Sequence, residues 1–321
     1  VLVDLDVGPG DRVGIRRPKS IESFVGVHAI LRAGAVMVPL DALAPAAHTE
    51  RVIADAGIDV VITDRRSAPT CAGAGVGTLV MPGVNVDDDF VAGLDGVDRV
   101  VDEATIAAAS PGNVVIVDED DPAYLIYTSG STGAPKGIVH THRSALAYAS
   151  AAVAEYGLTS DDHFANIAPL HFDQSTFELY AAPLAGAQVL VIPEPVLRFP
   201  ASVSDLVDRE RVTIWYSVPY LLEQLQARGA LEQRDLSRLR WVLFGGESFP
   251  PAALADLMRR LPNARWSNVY GPAEVNQCTS YEVPEPPIDT VPIGDAWPAA
   301  SVRIVDVAAP TSLASTDDDG M

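Results

Sequence analysis

The chain has 321 residues, 48% of them hydrophobic, enough for one large α/β unit or for two to three subdomains. Acidic residues number 43 against 22 basic ones, and the formal charge of −21 repels nucleic acid and anionic membrane surfaces. No apolar run approaches the roughly 18 residues of a membrane span, the sequence opens on Val1 without a leader-like basic and apolar start, and Cys71 and Cys278 have neither metal-ligand nor disulfide-framework spacing, so a soluble protein of the reducing cytoplasm is expected.

In chain order, short β-branched runs alternate with longer segments of helical period, the pattern of a parallel sheet with helices on both faces. The first third predicts a strand over 12–16, a helix over 21–33, a strand over 36–39, a helix over 46–56 and a strand over 59–63. Between 65 and 118, Ala, Gly, Pro and Asp dominate, and irregular surface structure is expected there, with strand-like islands at 77–81 and 114–117 and an edge strand as an alternative. The alternation then resumes with a strand over 124–127, a Gly/Ser/Thr loop, a strand over 137–141, a helix over 143–156, a strand over 163–168 and a helix over 172–184. A strand over 188–192 and a helix over 202–210 follow, and then a second βα set with strands at 213–216, 241–244 and 265–269 and helices at 219–227 and 250–261. The tail, 307–321, has no period and is expected to be disordered.

The loop between the strands at 124–127 and 137–141 reads "TSGSTGAPKG". Glycines that free backbone N–H groups, hydroxyl donors and a lysine are what an anion-binding loop needs. Lys136 stands out, because Lys19 is the only other lysine in the chain. A Walker loop is excluded: Pro135 takes the place of its last glycine, Ile138 follows Gly137 where a metal-binding hydroxyl belongs, and Ile138 and Val139 favour a strand over a helix. A hairpin-like cover joining two strands is therefore expected.

The whole string "YTSGSTGAPKG" resembles the signature loop of the adenylate-forming superfamily, which includes peptide-synthetase adenylation domains, acyl-CoA ligases and luciferases. In that family the loop closes over the terminal phosphates of ATP, a role that the resemblance assigns to Thr128, Ser129, Gly130, Ser131, Thr132, Gly133 and Lys136. Three distant stretches resemble further motifs of the family: "LRAGAVMVPLD" at 31–41, "FGGESFP" at 244–250 and "NVYGPAE" at 268–274. They imply nucleotide contacts at Gly245, Gly246, Glu247, Asn268, Tyr270 and Gly271, with Tyr270 stacked on adenine and Glu274 holding Mg²⁺. Ala273 departs from the family's threonine at that position and loses a hydroxyl directed at the α-phosphate. The fold so implied is α/β, with two doubly wound, mostly parallel sheets flanked by helices and, from "PIGDAWPAASVRIVD", the start of a small β-barrel subdomain.

"LHFDQSTFELYAAPLAGA", at 170–187, resembles the F-D-x-S motif of amino-acid adenylation domains, whose aspartate pairs with the substrate ammonium group. The matching pocket positions are Asp173, Gln174, Phe177, Tyr216, Leu243, Gly245, Val269, Gln277 and Cys278, and two aromatic rings among them favour a small or medium side chain. His171 stands where the family often has an aromatic gate beside the reacting carboxylate, and "GPAEVNQCTSY" resembles stand-alone prolyl-type ligases. The implied activity is ATP- and Mg²⁺-dependent formation of an aminoacyl adenylate with release of pyrophosphate, followed by transfer to the phosphopantetheine of a partner carrier protein. With no T-G-D motif and no lysine after Lys136, residues 1–306 are expected to be an incomplete adenylation domain, weakly active or inactive without a C-terminal lysine-bearing subdomain. Two alternatives stand: an acyl- or aryl-acid CoA ligase of the superfamily, and a non-catalytic nucleotide-binding relative.

Overall fold

Segments rich in valine and isoleucine supply two seven-stranded sheets in the computed structural model, which describes residues 1–129, 135–287, 289–298, 300–306 and 309–313. The described chain divides into a first unit, Val1–Ala147 with Ile167–Tyr180 and Val191–Arg198, and a second unit, Tyr148–Asn166 with Ala181–Leu190 and Phe199–Met321.

The first sheet contains β1 (Arg12–Arg16), β2 (Val36–Pro39), β3 (Val60–Thr63), β4 (Thr78–Met81), β5 (Arg99–Asp102), β6 (Pro122–Ser129) and β7 (Pro135–Thr141), in the order β5-β4-β3-β1-β2-β6-β7. Its neighbours pair in parallel except β6 and β7, which are antiparallel. Val61 and Ile62 are 0% and 2% exposed although successive strand residues point to opposite faces, so both faces of the sheet are covered. Val61 joins the core formed with helices Ala46–Ala56 and Ala68–Gly73. Ile62 lies under Gly26 of helix Ile21–Arg32, where an added Cβ would come within 3.1 Å of its Cδ1.

The second sheet, in the order β14-β13-β12-β11-β10-β8-β9, contains β8 (His163–Asn166), β9 (Gln188–Val191), β10 (Ile214–Ser217), β11 (Trp241–Gly245), β12 (Arg265–Tyr270), β13 (Thr279–Val283) and β14 (Asp295–Ala296). Strands β8, β10, β11 and β12 pair in parallel, and β13 and β14 run antiparallel at the edge. Trp215 and Val242 pack with residues of helices Pro200–Arg209, Pro219–Arg228 and Pro251–Arg260 on one face. On the other face the Tyr156 hydroxyl meets Ser267 Oγ at 3.4 Å.

Three expectations change. The stretch 65–118 is more regular than expected: the island at 77–81 is β4, and β5 and the helices Ala68–Gly73, Asp88–Ala92 and Glu103–Ala108 join it, each too short for its period to show, whereas 114–117 forms no strand. The continuous helix expected over 172–184 is broken into a 3₁₀ turn Asp173–Ser175, a π-helical turn Phe177–Ala181 and an α-helical turn Ala182–Ala185. Hydroxyls cause part of this, since Ser175 Oγ donates to Leu170 and Phe172 carbonyls and Thr176 Oγ1 to the Asp173 carbonyl at 2.6 Å, while Pro183 has no N–H to continue the ladder. At the C-terminal end β15 (Val305–Asp306) and β16 (Ala309–Leu313) form a two-stranded ribbon inside a stretch expected to be partly aperiodic, and no closed barrel occurs among the described residues.

Asp162, 2% exposed, ties the second unit's start to its middle. Its carboxylate accepts from Arg240 Nε at 2.6 Å, Thr213 Oγ1 at 2.7 Å and the Thr159 amide at 2.8 Å. Burial alone would raise its pKa, but these partners together hold it below the ordinary carboxylate value. Asp162→Ala should cost about 3 kcal/mol, because the partners lose a buried anion while Arg240 keeps some solvent. Chemical denaturation at pH 7 checks this. The loss should shrink as pH falls below about 4, because a carboxylate with a depressed folded-state pKa contributes stability only above that range.

Candidate functional site

The parallel pairing of β11 with β12 aligns Gly245 with Val269, so the two strands deliver their following turns to the same sheet edge. Gly245 is obligatory, because a Cβ there would overlap the Val269 carbonyl, and Gly246 follows at φ +90°, a left-handed conformation that favours glycine. Open α/β sheets bind ligands at such carboxyl ends. Gly246, Glu247, Phe249, Tyr270 and Gly271 line a cleft of about 600 Å³, with residues 289–293 as another wall.

Tyr270 keeps 49% of its surface exposed at this cleft and offers an aromatic face for stacking. Asn268 does not aim its amide at open space: Nδ2 donates to the Pro292 carbonyl at 2.8 Å and tethers the 289–293 wall. Glu247 accepts the Tyr220 amide at 2.9 Å, which caps helix Pro219–Arg228 and fixes the turn. Glu274 is exposed in the turn after β12. Among the described residues no group of three or more His, Cys, Asp or Glu side chains could hold a metal ion.

In the first unit, Thr128 and Lys136 stand opposite one another where the β6–β7 hairpin ends, and Ser129 pairs with Pro135. Gly130, Ser131, Thr132 and Gly133 lie outside the described residues. The hairpin agrees with exclusion of a Walker loop, whose lysine would open a helix. Tyr127 donates to Asp55 Oδ2 at 2.6 Å, and its ring lies against Gly137, where an added Cβ would sit 3.0 Å from Cζ. That packing explains why glycine follows Lys136.

The turn at 170–177, also in the first unit, carries His171, Asp173, Gln174 and Phe177. Asp173 Oδ1 accepts the Gln174 amide at 2.9 Å, which orients the carboxylate at the start of the 3₁₀ turn. Burial lowers the His171 pKa, while Asp41, 3.9 Å away, and Glu194 pull it back upward. Phe177 is buried in the core.

In the second unit, register places Tyr216 beside Leu243 and Gly245 beside Val269, all on one sheet face because 243 and 245, like 267 and 269, are two residues apart. Gln277, buried, reaches that face through Nε2 to the Tyr156 hydroxyl at 3.4 Å. Cys278 donates through Sγ to the Tyr270 carbonyl at 3.4 Å. Leu243 and Val269 are buried, so they shape that face from within. The 289–293 wall and Asp55 were not legible as site elements: the first belongs to a proline-rich loop, and the second sits on an ordinary amphipathic helix.

The model of the family described as AMP-binding enzyme matches residues 1–314. The chain belongs to this family. An L-proline--[L-prolyl-carrier protein] ligase of Pseudomonas fluorescens is 35% identical over 92% of this chain and 58% of the relative. A ligase of the same name from Streptomyces coelicolor is 33% identical over 97% of this chain and 59% of the relative. The chain thus spans about three fifths of the length of these curated relatives. The nonribosomal peptide synthetase FmoA3, in a form bound to alpha-methyl-L-serine-AMP, has a TM-score of 0.76 at 29% identity and covers 92% of this chain and 31% of its own. Within an AMP-binding enzyme, the Gly245 constraint generates a sharp expectation. Gly245→Ala should lower the melting temperature and abolish AMP binding, whereas Ser248→Ala in the same turn should leave the fold intact. Thermal unfolding with calorimetric AMP titration separates these outcomes.

Proposed function

We propose that this AMP-binding chain is the nucleotide- and amino-acid-binding portion of a ligase that activates L-proline as an aminoacyl adenylate for transfer to a carrier-protein thiol. The observation that carries the reading is the β11–β12 register, which gathers Gly246, Glu247, Tyr270 and Gly271 round one cleft. The two prolyl-carrier ligase relatives direct the choice of amino acid and of a phosphopantetheine-bearing partner.

In this reading Tyr270 stacks on adenine, and the backbone of Gly246 and Gly271 lets the nucleotide approach closely. Thr128 and Lys136, paired at the hairpin end, offer a hydroxyl and a positive charge to the terminal phosphates, with Ser129, Gly130, Ser131, Thr132 and Gly133 completing that loop. The exposed Glu274 fits a Mg²⁺ ion held mainly by phosphate oxygens, since Mg²⁺ commonly takes one or two carboxylates plus substrate phosphates and waters. Mg²⁺ bound with ATP supplies charge neutralisation at the phosphates. Asp173 pairs with the substrate ammonium, and Gln174, Phe177, Tyr216, Leu243, Gly245, Val269, Gln277 and Cys278 delimit its side chain. His171, biased toward neutral imidazole by burial, orients the attacking carboxylate without a second positive charge beside the ammonium. Catalysis is then largely positioning: the carboxylate oxygen attacks the α-phosphate and pyrophosphate leaves.

Calorimetry on the chain tests this. L-Proline should bind measurably in the presence of excess ATP and Mg²⁺, and Asp173→Ala should weaken it about tenfold or more while sparing ATP. Lys136→Ala should weaken ATP about tenfold and leave AMP unaffected. Binding of an aryl acid instead of any amino acid, unaffected by Asp173→Ala, would place the chain with acyl- or aryl-acid ligases.

A further inference from the structure

Lys19 is one of only two lysines in a chain whose other Lys/Arg residues are arginine, and no part of the proposed chemistry uses it. It sits between β1 and helix Ile21–Arg32, yet it is only 3% exposed. Its Nζ donates to the Ile167 carbonyl at 2.7 Å, and its backbone N–H lies 3.3 Å from both carboxylate oxygens of Glu194. Glu178, buried in the π-helical turn, acts on the same ammonium together with Glu194. Burial, only partly offset by the two acids, lowers the Lys19 pKa to about 8, so the group is mostly charged at neutral pH.

These partners share a property. Ile167 opens the segment Ile167–Tyr180, Glu178 lies near its end, and Glu194 lies in Val191–Arg198. Both segments belong to the first unit although they follow strands of the second sheet, β8 and β9. The substrate turn, with His171 and Asp173, lies between Ile167 and Glu178. Its local hydrogen bonds, from Ser175 to Leu170 and Phe172 and from Thr176 to Asp173, fix the turn's internal shape but not its attachment. Buried Phe177 and the approach of His171 to Asp41 attach it in part, and a buried cation adds a directional tie, because it is costly to desolvate and so is strongly tied to partners that compensate it. A lysine suits the geometry, because one compact ammonium can satisfy a carbonyl and face two carboxylates, whereas a planar guanidinium needs a wider set of acceptors.

We propose that Lys19 is a positioning residue of the substrate turn: its buried ammonium anchors residues 167–180 through the Ile167 carbonyl and Glu178, and so helps to set where Asp173 meets the substrate ammonium. The inference rests on the adenylation reading for its functional consequence, but the anchoring itself does not.

Two measurements on the full chain keep these separate. In calorimetry, Lys19→Met should weaken L-proline binding in excess ATP and Mg²⁺ by about tenfold or more, with ATP affinity within about twofold of the original, and Lys19→Arg should recover part of the loss. In hydrogen exchange, Lys19→Met should speed amide exchange in 167–176 while β11 and β12 stay protected. If Lys19→Met is insoluble, Lys19→Gln, uncharged and nearly as long, is measured in the same way. Unchanged proline affinity with unchanged exchange in a folded variant overturns the proposal, as does equal loss of proline and ATP with protection lost throughout. If the original chain binds no ATP, the adenylation reading fails, and the exchange comparison alone decides whether Lys19 anchors the turn.

Discussion

The approach of Gly245 to the Val269 carbonyl is the contact on which the cleft at the ends of β11 and β12 depends. A side chain at 245 would push β11 and β12 apart at their carboxyl ends, and the two turns that leave them would no longer face a common space. Because the strands are parallel, their ends coincide without any intervening hairpin, and because both are buried, their register is fixed by packing and not only by ladder hydrogen bonds. Glu247 and Asn268 then extend that rigidity outward, one by capping the helix after β10 and the other by tethering the 289–293 wall. Polar groups that the family resemblance ascribes to ligand contact thus also hold the frame itself.

The chain's charge of −21 makes an anionic nucleotide an unfavourable partner at long range, so affinity must come from local devices. In the proposed reading the turn backbones at 245–246 and 271 and the Lys136 ammonium are such devices, and two glycines support them: Gly245 for the strand approach, Gly137 for the Tyr127 ring that packs beneath the hairpin. The lysine therefore projects from a root fixed by Tyr127 and Asp55. A Walker loop fixes its lysine differently, at the start of a helix, and the antiparallel β7 removes that possibility here.

Much of this was legible in the sequence for physical reasons. Strands such as "VVIT" and "WVLFG" are continuous apolar runs because both their faces are covered, and helix 46–56 shows its period over a full length of eleven residues. The turns after β11 and β12 were legible as strings, since their glycines answer to steric constraints that no other residue meets. Asp162, Asp55 and Lys19 were not, because their roles arise from partners 51 to 175 positions away that no local pattern encodes. The break in the 172–184 helix escaped for a related reason: an apolar stripe survives a change from α to π winding, and only the hydroxyl-to-carbonyl bonds reveal the change. Strand β4 was legible as an island at 77–81, β5 was hidden by brevity, and β13 by a motif whose residues drew a functional reading first.

The account stands or falls on what occupies the cleft at the ends of β11 and β12. A crystal structure of the chain with AMP tests it most directly: the adenine should lie against the Tyr270 ring, between residues 246–249 and the 289–293 wall. AMP bound elsewhere, with Tyr270 left in contact with solvent alone, would contradict it.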